Sequence, residues 1–208
     1  MRLIETDDCT GFVGLLERNM WLSKGSTGLD EFVLLMRIVR LERVHFLREI
    51  QYKQLFSIVQ KDMKTGDSIL HLAVFEGKNV FVRALLEALF EVDEINLRNE
   101  DGNTPLSYAC ITGNLEIVKL LHAKGANMAH KNNAGLTPLL LAIYHSHYFV
   151  VHYLMSVEQV FDSVTTALDI FKSLQFSISG TCQTSSSQIF FLLYEVLETR
   201  IEYVFGHF

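Results

Sequence analysis

Apolar positions along this chain fall in short blocks with helical spacing, and the blocks come in pairs. Leu106 and Ala109 lie three apart and so share a helix face, while Ile117, Val118, Leu120 and Leu121 form a second stripe. Gly113 with Asn114 separates the two blocks, and Gly125 ends the second. Thr104 stands where a side-chain oxygen caps the first free donors of a helix, and Pro105 fits the first turn because its missing donor costs nothing there. Gly102, just before, supplies the positive φ of a tight turn. The pattern predicts a helical hairpin with a projecting turn, too small to bury its own apolar faces.

The unit recurs. Gly102, Thr104, Pro105, Leu106, Ala109, Val118 and Leu121 reappear as Gly135, Thr137, Pro138, Leu139, Ala142, Val151 and Leu154, at a constant offset of 33, as does Asn99 at Asn132. Upstream, Gly66, Ser68, Leu70, Ala73, Gly77 and Val82 repeat the spacing 36 residues earlier, with Leu86 one position off the place of Leu121 and the excess in LEALFEVDEINLR. A linker insertion of that size is tolerated, since closure entropy grows slowly with length.

A period near 33 headed by Thr-Pro-Leu resembles the ankyrin repeat. The resemblance covers residues 58–155 and implies an all-α solenoid in which hairpins borrow their cores from one another. Residues 1–57 are expected to form a degenerate helical cap. Within it GFVGLLE at 11–17 suits part of a broken unit, and LDEFVLLMRIVRLERVHFLREI at 29–50 has the length of a helix pair with no glycine between, placing Leu35, Val44 and Leu47 in the core. Residues 156–208 are expected to hold a helical cap or decayed repeat, with helices at 158–176 and 187–205 around the polar loop SISGTCQTSSS.

Composition adds exclusions. Hydrophobic residues make up 49% of the 208, which marks a chain that folds and buries them. A net charge of -6 without long runs of either sign argues against direct nucleic-acid binding. Cys9, Cys110 and Cys182 lie too far apart for a metal knuckle, and the default expectation is a reducing compartment, cytoplasm alone or cytoplasm and nucleus. The apolar runs FVLLM, LLLAIY and IFFLLY fall far short of the roughly 20 residues that cross a bilayer, and no signal peptide opens the chain, so no membrane insertion is expected.

Ankyrin hairpins generally bind proteins through turn tips and the exposed side of first helices, and the resemblance carries those roles to matching positions. Tip positions are Lys64, Thr65 and Asp67, then Glu100, Asp101 and Asn103, then Asn133, Ala134 and Leu136; first-helix positions are Phe75 with Glu76, Ile111 with Thr112, and Tyr144 with His145. Phe75, Ile111 and Tyr144 form an expected apolar line flanked by Glu76, Glu100 and Asp101, an arrangement with the anatomy of an interface. The plain alternative is scattered surface apolar groups. Replacing Ile111 and Tyr144 together is expected to abolish capture of a protein partner while leaving the fold intact.

Chemistry has weaker claims. His71 stands where the family's imidazole ties one turn to the next, whereas Ser107 and Leu140 hold that place later, implying a thinner network. His145 and His147 are two apart and share no helix face, so they and His152 read as structural rather than metal-binding. Cys110 reads as a packed thiol. No catalytic or cofactor-binding residue is expected, and the function expected is non-enzymatic protein binding. A narrower form, on GDSILHLA followed after an enlarged repeat by INLRNEDGNTPLSYAC, resembles inhibitors that mask Rel-type transcription factors. Rival readings are an enzyme fragment with its site in residues 156–208, a piece of a larger protein, or oligomerisation through the last helix.

Overall fold

The computed structural model describes residues 8, 11, 29–52, 61–88, 92–157, 188 and 189. Among these the chain forms α1 (Leu29–Arg40), α2 (Val44–Tyr52), α3 (Ile69–Phe75), α4 (Asn79–Ala88), α5 (Val92–Ile95), α6 (Pro105–Thr112), α7 (Leu115–Ala123), α8 (Pro138–Tyr144) and α9 (Tyr148–Ser156). The segment at 11–17 and the helices expected at 158–176 and 187–205 lie outside the described residues, Gly11, Gln188 and Ile189 excepted. The fold is an all-α solenoid. One layer runs α1, α3, α6, α8 and the other α2, α4, α7, α9, each hairpin packing on the next.

Four hairpins share one turn chemistry. The residue between the helices takes positive φ in each, at Glu42 (53°), Gly77 (68°), Gly113 (73°) and Ser146 (59°). The following N–H then donates to a carbonyl in the last turn of the first helix: Arg43 to Ile38 (3.1 Å), Lys78 to Ala73 (3.0 Å), Asn114 to Ala109 (3.2 Å) and His147 to Ala142 (2.9 Å). This satisfies carbonyls that a helix end otherwise orphans. Residues 29–52 therefore make the same turn as the later units, with Glu42 doing glycine's work and Ile38 in the place of Ala73, Ala109 and Ala142.

The caps fall where Thr-Pro-Leu puts them. Ser68, Thr104 and Thr137 are N-caps whose side chains accept from His71 N, Ser107 N and Leu140 N. The additional length of the first linker contains the single-turn helix α5, whose Ile95 is buried.

One continuous core runs through the stack. Leu35 and Leu47 are buried as expected, Val44 is half-buried, and Phe32, Ile38, Phe46 and Ile50 complete the first hairpin's share. Burying each such side chain contributes about 1.5–3 kcal/mol, and each does so only against a neighbouring hairpin. Ile189 belongs to the same core.

Candidate protein-binding face

Each tip is built from short polar residues that bond to the tip beside it. Glu100 N–H donates to Thr65 O and Asn133 N–H to Asp101 O, both at 3.0 Å. Side chains reinforce the ladder: Asn99 Nδ2 donates to Asp67 Oδ1 (2.9 Å), Asn132 Nδ2 to Asn103 Oδ1 (3.0 Å) and Asn133 Nδ2 to Glu100 O (2.8 Å). The expected tip residues therefore divide. Lys64, Thr65, Glu100, Asp101, Asn133 and Ala134 are exposed, whereas Asp67 is buried, Asn103 is half-buried in the ladder, and Leu136 is half-buried against the core. The short carboxylate at position 67 faces Asn99 because that contact replaces the water it loses.

His71 ties two tips as expected. Its Nδ1 accepts from Ser68 N–H (3.1 Å), so the proton sits on Nε2 and is donated to Asn103 O (2.9 Å). Burial holds this imidazole below the ordinary histidine range. At the corresponding place Ser107 keeps only the local half of that job, bonding Thr104 N–H (3.2 Å). The next junction is nevertheless well tied, by a residue that no motif marks: His130, buried, places Nε2 2.9 Å from Gly102 O.

Along the inner layer, the residues two before each turn stand in register: Arg40, Phe75, Ile111 and Tyr144. Phe75 and Tyr144 are each 57% exposed, while Ile111 is half-buried and packed on the core. Between them Tyr108 meets Phe75 edge-on, with ring centroids 5.7 Å apart, and its hydroxyl accepts from Asn99 Nδ2 (3.2 Å). Burial, with the Asp67 charge behind it, pushes the Tyr108 phenol up to about 12. The neighbouring row is Leu41, Glu76, Thr112 and His145; Glu76 is engaged by Arg40 Nε at 2.9 Å, and Thr112 and His145 are exposed. Arg40, Leu41 and Tyr108 were not among the expected binding residues. The first two become visible only once Glu42 is recognised as a turn residue.

His147 serves structure. His147 Nε2 lies 2.8 Å from Ile111 O, its ring stacks on His145 with centroids 6.2 Å apart, and a Cβ at Gly113 would overlap it. Burial, and then the His147 ring, lower the His145 pKa. Among the described residues no group of three or more His, Cys, Asp or Glu is placed to hold a metal, and no helix is long and apolar enough to cross a membrane. Cys110 is fully buried, and burial pushes its thiol well above the ordinary range, away from a nucleophilic thiolate.

The stacked hairpins have relatives. A family model described as ankyrin repeats in three copies matches residues 35–132 and again 70–165. A Caenorhabditis elegans homolog of transient receptor potential cation channel subfamily A member 1 is 34% identical over 58% of this chain and 10% of its own length. Mouse ankyrin repeat and SAM domain-containing protein 6 is 42% identical over 31% of this chain and 7% of its own. BTB/POZ domain-containing protein 1 of Schizosaccharomyces pombe is 40% identical over 41% of this chain and 6% of its own. The chain thus spans a tenth or less of these relatives. In the crystal structure of the yeast ribosomal protein Rps3 in complex with its chaperone Yar1, one chain superposes with a TM-score of 0.57 at 23% identity, over 63% of this chain and 95% of that one, a likeness of fold.

Proposed function

This chain belongs to the ankyrin-repeat family, a non-enzymatic protein-protein interaction module by fold, and on that premise we propose that it holds one protein partner along its inner-layer face and outer tips. The observation that carries the proposal is the register of Phe75, Ile111 and Tyr144 on successive inner helices, two of them with more than half of their surface left open. A core domain buries such rings; a binding face displays them beside a polar rim, here Lys64, Glu100, Asp101, Thr112 and His145.

The test is affinity capture from the native cell with the wild-type chain and with Phe75→Ala/Tyr144→Ala. The pair is chosen over Ile111 because Ile111 packs on the core, so its loss would confound binding with folding. Loss of the captured protein by the double variant at unchanged melting temperature is the expected result; retention of it would remove the proposal.

The narrower Rel-inhibitor form rests on GDSILHLA followed, after the enlarged repeat, by INLRNEDGNTPLSYAC, and none of the relatives reported above bears the name of such an inhibitor. Purified Rel-homology domain that fails to bind at micromolar concentration would end it. The enzyme-fragment alternative concerns residues 156–208, which apart from Ser156, Val157, Gln188 and Ile189 lie outside the described residues.

A further inference from the structure

The centre of the proposed face is rich in acceptors, and its own donors are spent. At the second tip Glu100 and Asp101 are both exposed, and the tips either side fix their backbones: Glu100 N–H donates to Thr65 O, and Asn133 N–H to Asp101 O. Their carboxylates are open. Glu76, Glu42 and Glu116 have Arg40, Lys78 and Arg83, whereas neither Glu100 nor Asp101 lies within ion-pair reach of a cation among the described residues, Lys64 and Lys131 on the neighbouring tips included. Behind them stands Tyr108, whose ring meets Phe75 edge-on and whose hydroxyl accepts from Asn99 Nδ2, in the field of the Asp67 and Asp101 carboxylates. Thr112, beside Ile111, turns its hydroxyl back to its own helix and donates to Tyr108 O at 3.0 Å. Aromatic rings are negative over their faces, so the exposed rings of Phe75 and Tyr144 add to the same sign.

We infer, resting on the interaction reading of the face, that its partner presents an arginine set between apolar residues, and that Asp101 and Glu100 receive the guanidinium. An arginine suits both features at once, since its planar fork pairs with a carboxylate while its face lies on an aromatic ring. The apolar residues beside it then lie against Ile111 and Tyr144. An acidic segment would meet two open charges of its own sign, and a wholly apolar one would cover them without replacing their water. Both costs fall on the wrong partner.

The experiment pans the full chain against a phage-displayed library of random short peptides. A selected peptide is then compared by fluorescence polarisation with its citrulline form, in which the arginine keeps its shape and loses its charge. Enriched peptides are expected to carry arginine beside aliphatic or aromatic residues, and the citrulline form to bind about tenfold more weakly, a difference of about 1.4 kcal/mol. Glu100→Gln/Asp101→Asn is expected to erase that difference at unchanged melting temperature, and Glu87→Gln, an exposed carboxylate of the outer layer, to leave it. Should the double variant melt lower, Asp101→Asn alone carries the comparison. Enrichment of acidic or uncharged peptides, no enrichment at all, equal binding of the citrulline form, or an equal effect of Glu87→Gln would overturn the inference. A cellular partner lost with Phe75→Ala/Tyr144→Ala but kept with Glu100→Gln/Asp101→Asn would refute the arginine site and leave the face standing.

Discussion

Gly102 and Gly135 have the same sequence neighbourhood and nearly the same φ, 74° and 76°, yet the stack treats them differently. A Cβ at Gly102 would stand 2.5 Å from Asn133 Oδ1 and 2.9 Å from Asn133 N, whereas one at Gly135 meets nothing within 4 Å. Gly135→Ala should therefore lose only the left-handed penalty, about 1–2 kcal/mol, and Gly102→Ala more, because the tip ladder must also shift. Urea unfolding of the two variants checks this; equal losses would mean that the ladder yields freely. His71 gives a pH prediction. Its folded pKa lies below the unfolded value because burial favours the neutral ring, so the unfolded state binds more protons and stability falls as pH drops below about 6.5. His71→Gln should flatten that decline in melting temperature measured on both sides of this pH; an unchanged slope would assign it elsewhere, His145 first. His71 was legible because it stands at the place in the repeat where the family that the chain resembles carries an imidazole. His130 was not, because its partner is a backbone carbonyl 28 residues away and nothing local marks the contact.

At the scale of elements, the periodic blocks and Thr-Pro-Leu headings place α6 to α9 almost to the residue, since caps, proline and glycine all act locally. The first hairpin was harder to read. Its turn residue is Glu42, and no propensity points to glutamate at positive φ; the tertiary packing of Phe46, Leu47 and Ile50 under α1 imposes it. Ser146 is the second such case, and its turn adjoins Tyr144 and His145 of the proposed binding face. Replacing it with glycine removes the strain, so Ser146→Gly should stabilise the chain by about 1 kcal/mol, seen as a higher midpoint in chemical unfolding. A lower midpoint would show that the Ser146 side chain holds the turn through contacts of greater value.

For the whole molecule, stability and the proposed binding draw on different sides of the same helices. The core side is shared between hairpins, so truncating one large core residue weakens its junctions as well as its own unit. Phe46, fully buried in the first hairpin's share of that core, is the sharpest case, and Phe46→Ala should cost about 3–5 kcal/mol. That loss loosens the layer from which Arg40 reaches Glu76 and from which Phe75 is displayed, so binding at the amino-terminal end should weaken with it. The face itself was only partly legible in the sequence. Aligned copies reveal which positions vary, but burial decides which of them a partner meets: Asp67 turned inward to Asn99, Ile111 half-settled on the core, and Phe75 and Tyr144 stayed open. Substituting the open pair removes the edge of Tyr108 against Phe75 but no member of the shared core. Phe75→Ala/Tyr144→Ala should thus melt within about 1 kcal/mol of wild type while Phe46→Ala does not, and the two together separate a face that binds from a frame that merely carries it. If both variants lost stability alike, Phe75 and Tyr144 would be part of the frame, and the partner would have to be sought on another surface.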